Sequence, residues 1–132
     1  MSKRFALQLL RQWRSIGTGV RPWISVVELP RYQARARAFL TEVEQEAIVQ
    51  VIAKDPTTGV LIQGTGGLRK MRFGAGDRGK SGGVRIVYYF HSDAMPAYLL
   101  ALFPKSRRAN LPRAELNALA NFVEALKRIH GR

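Results

Sequence analysis

Two stretches that otherwise read as β-strand carry cations in their interiors, and this restricts the fold more than any other feature of the chain. Leu68–Phe73, LRKMRF, alternates, so Lys70 and Arg72 project one way and Met71 and Phe73 the other. Residues 84–90, VRIVYYF, are apolar on both faces except at Arg85, which shares its parity with Val87, Tyr89 and His91. A run apolar on both faces belongs in the middle of a sheet. Lysine and arginine are poor strand formers, so four of them in two short strands, three with the parity of one face, require a cause. Between the strands lies a glycine-rich loop, and nine of the twelve glycines fall between Gly59 and Gly83. If the strands pair antiparallel, Lys70, Arg72 and Arg85 share one sheet face.

The remaining elements are placed around that pair. Residues 98–103, YLLALF, supply another strand after a turn at 92–96. Residues 23–29, WISVVEL, are rich in β-branched side chains and stop at Pro30, which reads as a first strand and a candidate edge. Residues 31–40 read as a helix with Arg31, Arg35 and Arg37 toward solvent. Thr41 followed by Glu44 is a capping box that opens a second helix. Its expected buried stripe is Val43, Ala47, Ile48, Val51 and Ile52, and Lys54-Asp55-Pro56 stops it. A last helix is expected to be capped by Asn110 or a neighbour, with Pro112 in its first turn. Leu116, Leu119, Val123, Leu126 and Ile129 form its apolar stripe. The expected fold class is α+β: a small antiparallel sheet with a mixed edge, two N-terminal helices and one C-terminal helix.

The chain of 132 residues suits one domain with one core. Residues 1–22 read as a basic N-terminal extension and 23–132 as the domain. Phe5, Leu9 and Trp13 give the extension helical spacing. Its interrupted apolar run is too short for a signal peptide. No cysteine is present, which excludes a disulfide framework or a thiolate metal site and fits a reducing cytoplasm. Two histidines without an acidic cluster give no expected metal site and no expected cofactor.

Twenty-two Lys and Arg against nine Asp and Glu leave a net charge of +13, in three blocks. Residues 1–22 carry five cations and no acid. Residues 69–85 and residues 104–132 each carry a net +5, while 23–68 and 86–103 each come to −1. Such blocks point to a polyanionic partner. A membrane partner is not expected, because no apolar run approaches the roughly 18 residues of a spanning helix.

One motif is refused. Gly74 to Ser81, GAGDRGKS, matches the GxxxxGK[ST] phosphate-loop pattern letter for letter. That pattern works only where a helix follows, because the helix N-terminus and the loop amides cradle the phosphates. Here Gly82-Gly83 and a β-branched strand follow. The segment reads instead as a charged hairpin loop whose Arg78 and Lys80 can touch a nucleic-acid backbone.

A strand arginine normally pairs with a carboxylate, and only Asp77 offers one between residues 56 and 92. Arg85 therefore answers either a ligand phosphate or a more distant glutamate. Clustered cations without a metal site support one reaction class in particular. RNA can be cut by its own 2′-hydroxyl attacking the adjacent phosphorus, while the protein positions the strand and stabilises the phosphorane. An arginine fork suits two phosphorane oxygens, and a lysine crowded by cations can accept the 2′-proton. Tyr88 and Tyr89 read as packing residues, His91 as a solvated strand end, and His130 as a charge complementing a helix C-terminus.

The run GTGGLRKMRF, GKSGGVRIVYYF and YLLALFPK, in that order, resembles the RelE superfamily of bacterial toxins and is most similar to its HigB-like branch. The resemblance spans residues 23–129. It implies a ribosome-dependent mRNA endonuclease in the cytoplasm, neutralised by a cognate antitoxin, in this branch a helix-turn-helix protein. By the same resemblance Lys70 and Arg72 match the basic strand, Arg85 the phosphate-binding arginine, and Lys105 the lysine closing the last strand. Arg69, Arg78, Lys80, Arg107 and Arg108 are the expected further RNA contacts. The pattern departs at Phe103, where tyrosine is frequent. It departs again at 106–110, SRRAN, where a catalytic tyrosine or an asparagine–acid segment is usual. Two other function classes compete: a same-fold ParE-like toxin that poisons a topoisomerase, and a nucleic-acid-binding protein without catalysis.

Overall fold

The structure, a computed structural model, describes residues 23–74, 83–104 and 111–130. The expected extension 1–22 lies outside them, as do Arg78, Lys80, Lys105, Arg107 and Arg108. In chain order the elements are β1 (Val26–Glu28), α1 (Pro30–Phe39), α2 (Glu42–Lys54), β2 (Val60–Leu61), β3 (Leu68–Phe73), β4 (Val84–Tyr89), β5 (Ala97–Pro104) and α3 (Arg113–Ile129). The five strands form one mixed sheet in the order β1-β5-β4-β3-β2. β4 takes the centre, and β2–β3, β3–β4 and β4–β5 all pair antiparallel. Only β1 runs parallel to its neighbour β5, so the fold is the expected α+β class with a mixed edge.

β4 is central because both of its faces are apolar, and the sheet divides the core in two. Val84, Ile86 and Tyr88 face Tyr32 and Ala36 of α1 and Ile48, Val49 and Ile52 of α2. Val87 and Tyr89 face the other way, with Leu68 and Phe103, toward Leu116, Val123 and Leu126 of α3. Two helices therefore cover one face and a single helix the other. Among the described residues no helix is long and apolar enough to cross a membrane.

Several local signals act as the sequence requires. Thr41 Oγ1 accepts from Glu44 N–H at 3.1 Å and Glu44 Oε1 accepts from Thr41 N–H at 2.9 Å, closing the capping box. Pro30 occupies the first helical position, where its missing N–H leaves no bond unmade. The strand that follows the glycine-rich loop starts at Val84, so no helix follows the phosphate-loop pattern.

Three expectations are corrected. The buried face of α2 is Gln45, Ile48, Val49, Ile52 and Ala53, while Val43 is 79% exposed and Val51 39%. The expected stripe had merged two neighbouring rows of the helix. The true arc follows the i, i+3, i+4, i+7, i+8 spacing of one face. Gln45 is tolerated within it because its Nε2 donates to Leu40 O at 3.1 Å. In α3, Ile129 is 75% exposed. Each three-residue step falls about 60° short of a turn, so the steps 123→126→129 carry Ile129 off the apolar face. Finally, Pro112 sits at the N-cap of α3 and not in its first turn, and among the described residues no side chain caps that end; Asn110 lies outside them.

Three tyrosines line the centre of the sheet, and burial pushes all three phenols above the ordinary tyrosine range. For Tyr88 burial outweighs the hydrogen bond from Gly59 and the charge of Arg69, for Tyr89 it outweighs Lys127, and for Tyr98 it acts alone. The folded chain thus keeps protons that the unfolded chain releases near pH 10. Their contribution to stability is complete below about pH 10 and is lost as the pH rises through the folded values. Melting temperature followed from pH 8 to 11 should fall most steeply above about pH 10. Replacing Tyr89 by phenylalanine should make that fall shallower.

Candidate functional site

The strand register brings the expected cations together. β3 and β4 pair with Lys70 opposite Val87 and Arg72 directly opposite Arg85. All three cations project from the α3 side of the sheet, since Leu68, Val87 and Tyr89 of the same parity belong to the core under α3. Two arginines directly opposed across a ladder repel one another. Arg85 is half-buried, and its Nε is buried without a hydrogen-bond partner among the described residues. A desolvated guanidinium nitrogen left unpaired beside another arginine is unfavourable for the free protein. An anion entering from solvent relieves both penalties.

An open cavity of about 400 Å³ lies over this face. Lys70, Arg85, Val87 and Phe103 form its floor, Leu111, Arg113 and Leu116 bring in the start of α3, and Ile62 and Gln63 close it from the β2–β3 turn. No carboxylate is among these lining residues. Among the described residues no three His, Asp or Glu side chains gather as metal ligands. The floor is therefore basic and half apolar, and its chemistry suits an anion or a developing negative charge.

The turn that closes the cavity is held by its own hydrogen bonds. Ile62 N–H donates to Leu68 O at 2.8 Å, Thr65 Oγ1 donates to Ile62 O at 2.6 Å, and Leu68 N–H donates to Thr65 Oγ1 at 3.2 Å. Thr65 is buried at its centre. Gly67 has φ +122°, and a β-carbon there would stand 2.8 Å from the Tyr89 ring, so glycine is required on both counts.

The placement of the expected residues is uneven. Lys70 and Arg85 line the cavity, and Arg72 stands exposed beside Arg85. Arg69 is not part of the group. Its parity sends it to the opposite face, where Nη1 donates to Gly59 O at 2.7 Å and Thr57 O at 3.2 Å, tying down the loop before β2. His91 lies beyond the far end of β4, about 20 Å along the strand from Arg85, stacked on Tyr89 with ring centroids 6.4 Å apart. His130 Nε2 meets Tyr98 Oη at 2.5 Å, which ties the end of α3 to the start of β5.

Gln63 and Arg113 were not singled out in the sequence. Arg113 carried one usable signal. It is a cation at the first position of a helix, where the dipole disfavours positive charge. Gln63 carried none, because a polar residue in a glycine-rich turn is ordinary.

No protein-family model matches the chain. Among solved structures, the chain is similar to a mutant of the E. coli toxin RelE in the free state. The identity is 16% and the TM-score 0.47, over 81% of this chain and 97% of that one.

Proposed function

We propose that the chain is the toxin of a type II toxin–antitoxin pair and cleaves mRNA by attack of the substrate's own 2′-hydroxyl. The observation that carries this reading is Arg85: half-buried, opposed to Arg72 and, among the described residues, with an unpartnered Nε and open to a cavity lined by no carboxylate. That arrangement is unfavourable until a polyanion arrives.

In the reaction the 2′-oxygen bonds to phosphorus and the bond from phosphorus to the 5′-oxygen breaks. The products are a 2′,3′-cyclic phosphate and a 5′-hydroxyl. Arg85 forks two non-bridging oxygens of the phosphorane, and Arg72 adds charge from the next strand. Lys70, on the same face, is the candidate to receive the 2′-proton in its neutral form, and Lys105, which follows the last residue of β5, is the candidate to give a proton to the leaving 5′-oxygen. The substrate is mRNA held on the ribosome. The inhibitor is a helix-turn-helix antitoxin that brings acidic or apolar surface to this face.

The purified chain should be incubated with end-labelled mRNA in two arms, on ribosomes in magnesium buffer and as free RNA in the presence of EDTA. Cleavage that leaves 2′,3′-cyclic phosphate ends is the expected result. Intact RNA retained with a steep salt dependence would replace this reading with simple binding. Intact RNA together with an inhibited topoisomerase would replace it with a ParE-like toxin.

A further inference from the structure

We infer that Gln63 and Arg113 form the selective half of the cavity, with Gln63 reading the edge of a nucleobase beside the scissile phosphate and Arg113 holding the next phosphate along the strand. The inference rests on the RNA-cleaving reading and adds to it which residues choose the site of the cut.

Four observations converge on these two side chains. Both line the cavity whose floor is Lys70 and Arg85, yet neither lies on the strands that carry those cations. Both are exposed, and among the described residues neither side chain has a hydrogen-bond or ionic partner. They stand together at one mouth of the cavity: Arg113 Nη1 lies 4.0 Å from where a β-carbon on Gly64 would stand, next to Gln63. The turn beneath Gln63 is fixed by the three hydrogen bonds of Thr65, Ile62 and Leu68, so its side chain starts from a rigid base.

The chemistry divides between them. Among the described residues Gln63 is the one neutral polar side chain on a lining that is otherwise cationic or apolar. A carboxamide offers a donor beside an acceptor, which matches the paired groups on a base edge, whereas a guanidinium offers donors alone. Single-stranded RNA presents those edges freely. Arg113 stands at a helix start, where its charge is disfavoured until an anion neutralises it. Phosphates follow one another along a strand, so a second cation at the cavity mouth fits the phosphate next to the one held by Arg85.

The test maps cut ends on mixed-sequence RNA for the wild type, Gln63→Ala and Arg113→Ala. Both residues are exposed, so both variants should melt as the wild type does. The wild type should favour one base at a position flanking the cut. In Gln63→Ala, cutting at that base should fall about 5- to 100-fold, toward the level at the other bases. In Arg113→Ala, KM should rise at every site with the base preference kept. A Gln63→Ala variant that cuts with the wild-type base distribution overturns the role of Gln63 and leaves the cleavage reading standing. An Arg113→Ala variant with wild-type KM overturns the role of Arg113 in the same way. A wild type that cuts no RNA under any condition overturns this inference and the cleavage reading together.

Discussion

Arg85→Ala should lower RNA cleavage by about 10²- to 10³-fold, the usual effect of removing one pre-placed donor to a developing oxyanion. It should do so without unfolding the protein. Arg85 sits directly opposite Arg72, and a like-charged pair in a ladder is destabilising by roughly 0.2–1 kcal/mol. Removing one member relieves that repulsion, so the variant should melt at or slightly above the wild-type temperature. Activity and stability then move in opposite directions, which is the mark of a residue kept for function. Arg85→Lys should recover part of the loss, because it restores the charge but not the planar fork. Growth arrest on expression gives the cellular readout, and thermal melting gives the physical one. An Arg85→Ala protein that still arrests growth would falsify the assignment of the phosphate site.

Tyr88→Phe should be the most damaging single-atom change in the sheet. Tyr88 is fully buried in β4, where its hydroxyl accepts from Gly59 N–H at 2.8 Å and donates to Pro56 O at 2.8 Å. Losing that oxygen strands two buried backbone groups, each at a penalty of about 1–3 kcal/mol. A loss of roughly 2–6 kcal/mol follows, or on the order of 10–20 °C in melting temperature for a domain of this size. Tyr89→Phe supplies the control. The Tyr89 hydroxyl is buried with no partner among the described residues, so its removal should leave stability unchanged or slightly raised. The two substitutions delete the same atom from adjacent residues of one strand. Equal melting temperatures for the two variants would show that the Tyr88 hydrogen bonds contribute little.

The four longer strands and the starts of α1 and α2 were legible in the sequence, whereas the start of α3 was misplaced. Residue alternation put Lys70, Arg72 and Arg85 on one face, and the register confirms it with Arg72 opposite Arg85. The capping box at Thr41 and the central place of β4 were equally plain, because each depends on neighbours within a few residues. The two-residue strand β2 was not legible. It is too short to carry a pattern, and it exists only because β3 offers it an edge.

Periodicity of two is a property of the extended backbone itself, so the sequence alone determined which side chains share a sheet face. It also determined that the face would be basic and would lack a carboxylate within reach along the chain. Which turn folds over that face, and which helix start meets it, were decided only by the tertiary structure. Gln63 and Arg113 are fifty residues apart and meet because the turn after β2 and the start of α3 line the same cavity. Tyr88 read as packing until the loop at Pro56 and Gly59 closed on its hydroxyl. Arg69 and Lys70 are adjacent cations with the same local signal. The pleat alone sends one to hold a loop and the other to line the cavity. Contacts of that kind depend on how whole elements pack, a choice made by the summed burial of many side chains and not by any short run of residues.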